Sequence, residues 1–306
     1  MAEKKPLLSE LRAGWASIEN EGSNLGQVNA EPPESVPEIV EADLEIPRML
    51  RARFYYWDAP PAGFRENQDI DPRTVRKLNA IDVMITSQGS GKLALLFSTR
   101  TRTYLNRKMG VIASLNSILK STDANQAIDR YESPFRLTNE EIFLWLAVQH
   151  RDKPQLANDI FLEKIEGISS RDRTSRTADL RYGVDFDRSN FLTAVAEKDT
   201  LGPMDICFIR DVGTEKFSYE VKLHFDGGFE IKRNNILVPE ELNHNDFMLT
   251  TSLDLAYKII PRFNILYQND AAKWRTQRVD VIEKAMSALE ARYKSLRQVL
   301  QKQLDK

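Results

Sequence analysis

The sequence is poor in the residues that most often form metal centres and disulfides. It holds one cysteine, Cys207, and three histidines, His150, His224 and His244, that lie far apart along the chain. A single cysteine excludes an internal disulfide, and the histidines lack the spacing of zinc ligands. Because Cys207 lies within an apolar stretch, we expect a buried structural thiol rather than a nucleophile.

Long apolar runs are also absent. No stretch approaches the roughly 18 apolar residues that a transmembrane helix needs. The first residues, MAEKKPLLSEL, lack the apolar core of a signal peptide. We therefore expect a cytoplasmic protein that makes no direct membrane insertion.

The common nucleotide-binding and hydrolase motifs are missing as well. The letters Gly-Ser-Gly-Lys at 89–92 suggest a P-loop, but the glycine that should lie four positions before the Gly-Lys pair is absent. Leu93 also stands where Ser or Thr should follow. There is no Gly-x-Ser-x-Gly, no dinucleotide-binding glycine fingerprint and no kinase motif set.

Aromatic residues are absent from 20–45, a segment rich in Glu, Pro, Asn and Gly. Such a segment cannot bury enough apolar surface to offset its ordering entropy, so 1–45 is predicted to be a mostly disordered acidic tail. Within it, LLSELRAGWASI could form a short amphipathic helix that docks a partner protein or packs on the body of the chain. Residues 1–50 carry a charge of −6, which leaves +4 on the rest because the whole chain carries −2.

The remaining pattern predicts an α+β fold with two mainly antiparallel sheet modules separated by a helical region. The first module is predicted over 46–185. It begins with a strand at 49–57 and a β-hairpin around the turn at 88–91. Helices are expected after residue 104, again from a capping box formed by Thr138 and Glu141, and over 154–165.

The second module is predicted over 186–270 and contains a helix, FLTAVAE, followed by strands. Apolar and polar residues alternate strictly over 217–225, which is typical of a strand with one wet face. The turn at 226–228 then leads into another strand, FEIKR.

Residues 271–306 are predicted to form a coiled-coil-like helix. Seven apolar side chains follow the 3-4 spacing of heptad a and d positions. This spacing favours self-association, a helical hairpin, or a long helix that lies along its own domain. The predicted oligomerisation residues are Val279, Ile282, Met286, Leu289, Tyr293, Leu296 and Leu300.

One short motif resembles the site of PD-(D/E)xK nucleases. Such a site needs two carboxylates on neighbouring strands to hold Mg²⁺ and a lysine to position or activate water. Asp205 follows Pro203 and Met204, and Glu220 and Lys222 share one face of the next strand. The resemblance implies catalytic roles for Asp205, Glu220 and Lys222, with Asp205 and Glu220 as metal ligands. The turn directly after the Glu-x-Lys strand departs from that family, and Glu230-Ile-Lys232 repeats the same spacing, as solvated strand faces often do.

Two hydroxyl-rich segments carry clustered arginines. Such side chains near a helix start or in a loop are good donors to phosphate, although they can equally pair with acids of their own chain. No base-reading motif accompanies them, so we expect little sequence specificity. The candidate DNA-binding residues are Arg100, Arg102, Arg107, Lys108, Arg171, Arg173, Arg176 and Arg181.

The order of elements resembles that of RexA-like phage-exclusion proteins and of DNA-binding subunits of bacterial defence pairs. The shared features are the strand KLALLFSTRT, the basic helix RTYLNRKMGVI, a later α/β module and a terminal helix. The resemblance implies a homodimer that binds double-stranded DNA without sequence preference, and it carries over no catalytic residue.

The sequence therefore predicts a cytoplasmic, homo-oligomeric DNA-binding protein, with a possible role in anti-phage defence and no cofactor. The alternative is a nuclease that requires Mg²⁺, and a second alternative is a protein-interaction scaffold. Salt-dependent DNA binding distinguishes the first two from the scaffold, and cation-dependent cleavage distinguishes the nuclease from a protein that only binds.

Overall fold

A computed structural model gives the protein two compact units, Met1–Ser133 and Pro134–Lys306. The structure describes residues 15–16, 37–42, 46–57, 78–88, 92–99, 105, 110–123, 127–129, 133–171, 177–181, 189–197, 200–213, 215–232 and 250–304. In these ranges no helix has both the length and the apolar character needed to cross a bilayer.

The first unit is built on a five-stranded antiparallel sheet. Its strands are β1 (Trp15–Ala16), β2 (Glu38–Val40), β3 (Met49–Trp57), β4 (Leu78–Ser87) and β5 (Leu93–Phe97). The order is β1-β3-β4-β5. The short strand β2 pairs with the same edge of β3 as β1 does, but nearer the start of β3. The predicted strand at 49–57 and the hairpin that follows are confirmed.

A single described helix, α1 (Val111–Thr122), packs on this sheet. Three of its apolar side chains are buried against alternate residues of β3 and β4, which forms the core of the unit. These buried helix residues are Val111, Ile112 and Leu115. On β3 and β4, Arg53 lies opposite Asp82 and donates two hydrogen bonds to its carboxylate.

The predicted acidic tail is thus partly strand. Trp15 pairs with Phe54, and Glu38 pairs with Arg51, both in antiparallel register on β3. The helix predicted around Trp15 is therefore wrong at that residue, because the backbone there completes the edge of a sheet. The rest of that predicted helix lies outside the described residues.

The second unit holds a six-stranded antiparallel sheet of order β11-β10-β9-β7-β6, with β8 also on β7. Its elements are α2 (Ile142–Asp152), β6 (Gln155–Ala157), β7 (Ile160–Arg171), β8 (Thr177–Arg181), α3 (Ser189–Ala196), β9 (Thr200–Val212), β10 (Glu215–Leu223), β11 (Phe229–Ile231) and α4 (Ile260–Leu304). A five-residue π-helical segment, Leu255–Ile259, leads directly into α4. The predicted α+β class, with two antiparallel sheets and a long C-terminal helix, is confirmed.

The helix predicted over 154–165 is wrong, because this segment forms β6 and the first half of β7. The large apolar residues that β7 buries are Ile160, Leu162, Ile165 and Ile168, spaced two, three and three apart. The first two register shifts between β7 and β9, at Leu162/Lys164 and Ile165/Gly167, produce this spacing, because an extra residue in β7 reverses the alternation of faces. The resulting pattern imitates a helix in sequence.

The predicted boundary at 185/186 falls inside the second unit, between β8 and α3. The twelve residues of β7 pair along β9, and both strands contribute to the same core. The middle of the chain therefore belongs with the second sheet. The C-terminal helix also begins earlier than 271, because Phe263 and Tyr267 are buried against this core.

The predicted capping box at Thr138 does not form. The helix α2 starts at Ile142 with no side-chain cap on Glu141, and Asn139 accepts a hydrogen bond from the backbone of Glu141 instead. Thr138 is used elsewhere, because its backbone N–H donates to Asn264 of α4 at 2.9 Å.

A buried polar network fixes the start of the long helix to the sheet. Asp254 is 4% exposed and accepts hydrogen bonds from Arg210 at 2.8 Å and from Tyr219 at 2.6 Å. Lys258 forms a further ion pair with it at 3.1 Å. Burial, followed by the charge of Asp254, raises the pKa of Tyr219, so this hydroxyl remains a donor. A buried group that is paired in this way costs little, whereas an unpaired one costs a great deal.

Candidate functional site

Strand alternation in the second unit separates an apolar face from a polar one. In β10, Tyr219 and Val221 point into the core, so Glu220 and Lys222 lie on the opposite face. Asp205 of β9 lies directly opposite Lys222 in the ladder, and Cys207 lies opposite Glu220. The two carboxylates of the predicted nuclease motif therefore share one face of neighbouring strands, as the sequence predicted.

The lysine that meets both carboxylates is Lys232. Because Val221 pairs with Ile231, the residue after β11 lies beside Glu220, and its backbone N–H donates to the Glu220 carbonyl at 2.9 Å. The Lys232 Nζ lies 2.7 Å from Glu220 Oε1 and 3.3 Å from Asp205 Oδ1.

A third carboxylate, Glu166 of β7, completes the cluster. Its Oε2 accepts a hydrogen bond from Lys232 Nζ at 3.0 Å, and its Oε1 accepts one from Lys164 Nζ at 2.8 Å. We call Glu166, Asp205, Glu220, Lys164 and Lys232 the carboxylate–lysine cluster. It combines three carboxyl side chains with two ammonium groups.

The cluster has a strong effect on the ionisation of its members. Hydrogen bonds from Lys164 and then Lys232 lower the pKa of Glu166 to about 2. Burial alone would lower the pKa of Lys232, but its hydrogen bonds to Glu220 and Glu166 outweigh burial and raise it. Glu166, Lys164 and Lys232 are therefore charged at neutral pH, and ion pairs between them hold this part of the cluster together.

Burial is uneven across the cluster. The Glu220 side chain is 7% exposed, whereas those of Glu166 and Lys232 are 29% and 35% exposed. A carboxylate buried to this extent requires a positive partner, because an isolated ionised group is expensive to remove from water. Lys232 supplies that charge in this structure.

Oxygen atoms dominate the possible ligand set. One ligand atom each from Glu166, Cys207 and Glu220 lies within 4.8 Å of the others. Burial, followed by the charges of Glu220 and Glu166, raises the pKa of Cys207 to about 12, so the thiol stays protonated at neutral pH. A protonated thiol is a poor metal ligand. The carboxylates therefore favour a hard cation such as Mg²⁺ or Mn²⁺ over zinc.

Sequence reasoning identified Asp205 and Glu220 but missed Glu166, Lys164 and Lys232. Lys232 belongs to the Glu-x-Lys spacing at 230–232 that had suggested an ordinary solvated face. Lys164 and Glu166 are likewise two apart, and both point to the polar face. These paired charges two residues apart were the available signal, but they do not reveal which strands become neighbours.

The predicted DNA-binding residues are only partly within the described chain. Arg171 is exposed at the end of β7, and Arg181 is the last residue of β8, where its backbone pairs with Gly167. The other predicted residues lie outside the described ranges: Arg100, Arg102, Arg107, Lys108, Arg173 and Arg176. Parts of the segment at 169–181 are thus the paired ends of two strands.

The predicted oligomerisation residues all lie on α4, with different environments. Ile282 and Leu289 are half-buried and pack against the core of the second unit. The others are more than half exposed: Val279, Met286, Tyr293, Leu296 and Leu300.

No protein family model matches this chain, and no curated protein is significantly similar to it.

Proposed function

We propose that this protein binds DNA and cleaves its backbone in a reaction that depends on a divalent cation held by Glu166, Asp205 and Glu220. The observation that carries this proposal is the convergence of three carboxylates on one ammonium group, from β7, β9, β10 and the residue after β11. Distant parts of the chain thereby concentrate negative charge at one point on a polar sheet face.

Carboxylate oxygens at this density are the ligands that Mg²⁺ and Mn²⁺ prefer. When bound, such a cation would neutralise charge on a phosphodiester and lower the pKa of an attacking water. The protein's own contribution is to hold three oxygens in place from the rigid strands of one sheet. The position now taken by the Lys232 ammonium is where a cation would be stabilised most.

Two of the lysines on the polar face, Lys232 and Lys222, are assigned different roles. Lys232 touches all three carboxylates, so it compensates their charge and competes with a cation for them. Lys222 lies beside Asp205 in the ladder and is half-buried on the same face. We assign Lys222 to positioning or activating water, the role that the Glu-x-Lys resemblance implies.

DNA binding is supported by the distribution of charge along the chain. The acidic segment at 1–50 carries −6, and the remainder carries +4. Exposed Arg171 is the last residue of β7, the strand that also carries Glu166. A bound phosphate backbone could therefore contact both Arg171 and Glu166. A role in anti-phage defence is the biological setting that the overall layout suggests.

A cleavage assay on plasmid and linear DNA, with Mg²⁺, Mn²⁺ or EDTA, tests the catalytic step. Asp205→Asn, Glu220→Gln and Lys222→Met are each expected to lower the cleavage rate at least about a hundredfold, because each removes a ligand or the water-positioning group. Glu230→Gln is the matched control. It removes an exposed carboxylate two residues from Lys232 and should leave the rate unchanged.

Binding without cleavage is the second candidate function, and one observation favours it. Each carboxylate of the cluster already has an ammonium partner within 3.3 Å, as in a purely structural ion-pair network. In that case wild-type protein would leave DNA intact with either cation while still binding it. If it neither bound nor cleaved DNA, the scaffold alternative would remain.

Binding itself is tested by its dependence on salt. Each phosphate contact releases condensed counterions, so log K should fall against log salt by about 0.9 per contact. Replacing the three arginines of the first basic segment with alanine should weaken binding equally for unrelated duplexes and flatten the slope by up to about three units. An unchanged slope would show that these side chains do not contact DNA. The residues replaced are Arg100, Arg102 and Arg107.

A further inference from the structure

We propose that the last two heptads of α4 form an antiparallel coiled coil with a second copy of this chain, in the register that pairs Tyr293 with Leu296 of the other copy. This inference rests on the exposed end of α4 and is independent of the carboxylate–lysine cluster.

The end of α4 leaves the body of its own unit. Val281 and Ala285 are its last buried residues, and every described residue from Glu290 to Leu304 is exposed. This part spans about 22 Å of helix at 1.5 Å per residue. This part continues a helix that its packed residues have already nucleated, so it depends on helix propagation rather than on burial in its own unit.

The apolar stripe on this exposed part needs a partner. Met286, Tyr293, Leu296 and Leu300 are between 51% and 59% exposed, and they occupy a positions except Leu296, which is at position d. Exposed large apolar groups in one row are typical of an interaction surface. The heptad spacing allows this stripe to pack against another helix. A second copy of the chain supplies a helix of the same length.

Charges beside the stripe select the orientation. With Met286 and Tyr293 at position a, Arg292 is at position g, and Glu290 and Arg297 are at position e. In a parallel pair, g meets the e residue five positions later on the partner, which places Arg292 against Arg297 twice. In an antiparallel pair e meets e, which places Glu290 against Arg297 twice. Only the antiparallel arrangement turns the charges of this segment into attraction.

The same charges select the register. When Tyr293 faces Leu296 of the other copy, the part of Leu289 that its own core leaves exposed faces Leu300, and four apolar layers form around the two-fold axis. Sliding one helix by a heptad in either direction brings Glu290 against Glu290 or Arg297 against Arg297. The chosen register is therefore the one that combines apolar layers with opposite charges.

Reversal of one charge gives opposite outcomes for the two orientations. Arg297→Glu should weaken the dimer about tenfold in an antiparallel pair, because both Glu290–Arg297 pairs become repulsive. In a parallel pair the same change would tighten the dimer, because it would face Arg292. Sedimentation equilibrium of the full chain measures the dissociation constant, and the double variant Glu290→Arg with Arg297→Glu should restore it.

Loss of the stripe tests whether this surface carries the association at all. Leu296→Glu together with Leu300→Glu should give a monomer by light scattering, because charges would enter an apolar seam. Ser295→Glu together with Gln298→Glu is the matched control, since it adds the same charge to exposed positions outside the stripe. A monomeric wild type, or equal behaviour of the two double variants, would overturn the inference.

Cysteine cross-linking tests the register directly. The single change Leu300→Cys should not cross-link in the antiparallel pair, since the two copies of position 300 lie about 16 Å apart along the axis. Adding Leu289→Cys should allow an interchain disulfide, because the two positions face each other. The wild type, in which the native Cys207 is buried, gives the background level of cross-linking. Efficient cross-linking by Leu300→Cys alone would show a parallel pair instead.

Discussion

Lys232→Met is the most informative single change to the carboxylate–lysine cluster. It removes the one ammonium that contacts Glu166, Asp205 and Glu220, at 3.0, 3.3 and 2.7 Å, and leaves Lys164 as the remaining positive charge of the cluster. Glu220, whose side chain is only 7% exposed, then loses the ion pair with the Lys232 ammonium at 2.7 Å. We therefore expect a loss of stability in the absence of divalent cations.

The size of the loss follows from how exposed the pair is. Removing one partner of a fully buried pair costs about 3–5 kcal/mol, whereas an exposed pair contributes at most about 1 kcal/mol. Lys232 is 35% exposed, so solvent screens part of the interaction, and we expect about 2 kcal/mol. For a unit of this size that corresponds to a fall in Tm of about 4–8 °C.

Thermal unfolding followed by circular dichroism in EDTA measures this fall. Lys222→Met is the matched control on the same face, and its effect should stay within about 0.5 kcal/mol. If the two variants had the same Tm, Lys232 would not be the charge that stabilises the cluster.

Adding Mg²⁺ turns the same variant into a test of cation binding. With Lys232 gone, a divalent cation no longer competes with an ammonium for the three carboxylates. Mg²⁺ at about 100 times its Kd would then restore roughly 2.7 kcal/mol. The rise in Tm on adding Mg²⁺ should be larger for Lys232→Met than for the wild type. An equal rise, or none, would show that the cluster is a structural ion-pair network.

Three further outcomes are expected. The pKa of Glu166 is lowered from its usual 4.5 to about 2. The ionised Glu166 carboxylate therefore stabilises the fold above pH 4.5, and this stabilisation is lost as the pH falls towards 2. Glu166→Gln should flatten the acid side of a plot of the free energy of unfolding against pH. Gly227→Ala should strongly destabilise the second unit, because its φ is +82° and a Cβ would lie 2.1 Å from the Phe135 carbonyl oxygen. Gly213→Ala is the control with positive φ but open space, and a similar Tm for both variants would contradict this reasoning. Neutralising acidic residues within 1–37 should raise DNA affinity, because these residues repel the phosphate backbone, and the rise should be largest at low salt, where screening is weak. Unchanged binding in a gel-shift titration would contradict this repulsion.

The sequence by itself determined those elements whose pattern is regular. Strict alternation over 217–225 identified β10, its core face and the polar face that carries Glu220. The turn at Gly227 and the 3-4 spacing on α4 were equally visible, because a turn and a helix depend on residues close together in the chain.

Irregular strands were harder to predict. Two register shifts between Ile160 and Ile168 alter the alternation of β7, so its large buried apolar residues imitate the spacing of a helix. Pairing with β9, and with β6 and β8 at the two ends, stabilises the strand here, and no local residue pattern encodes these partners.

Tertiary structure alone decided which charges meet at the candidate site. Asp205 and Glu220 come together through one hairpin, which the sequence could predict. Glu166 lies 39 positions before Asp205 along the chain and reaches it only because β7 inserts beside β9. Lys232 enters through the register in which Val221 pairs with Ile231, and a shift of one residue would turn its side chain to the other face. The identity of each charged residue is written in the sequence, but long-range strand pairing determines which of them become neighbours.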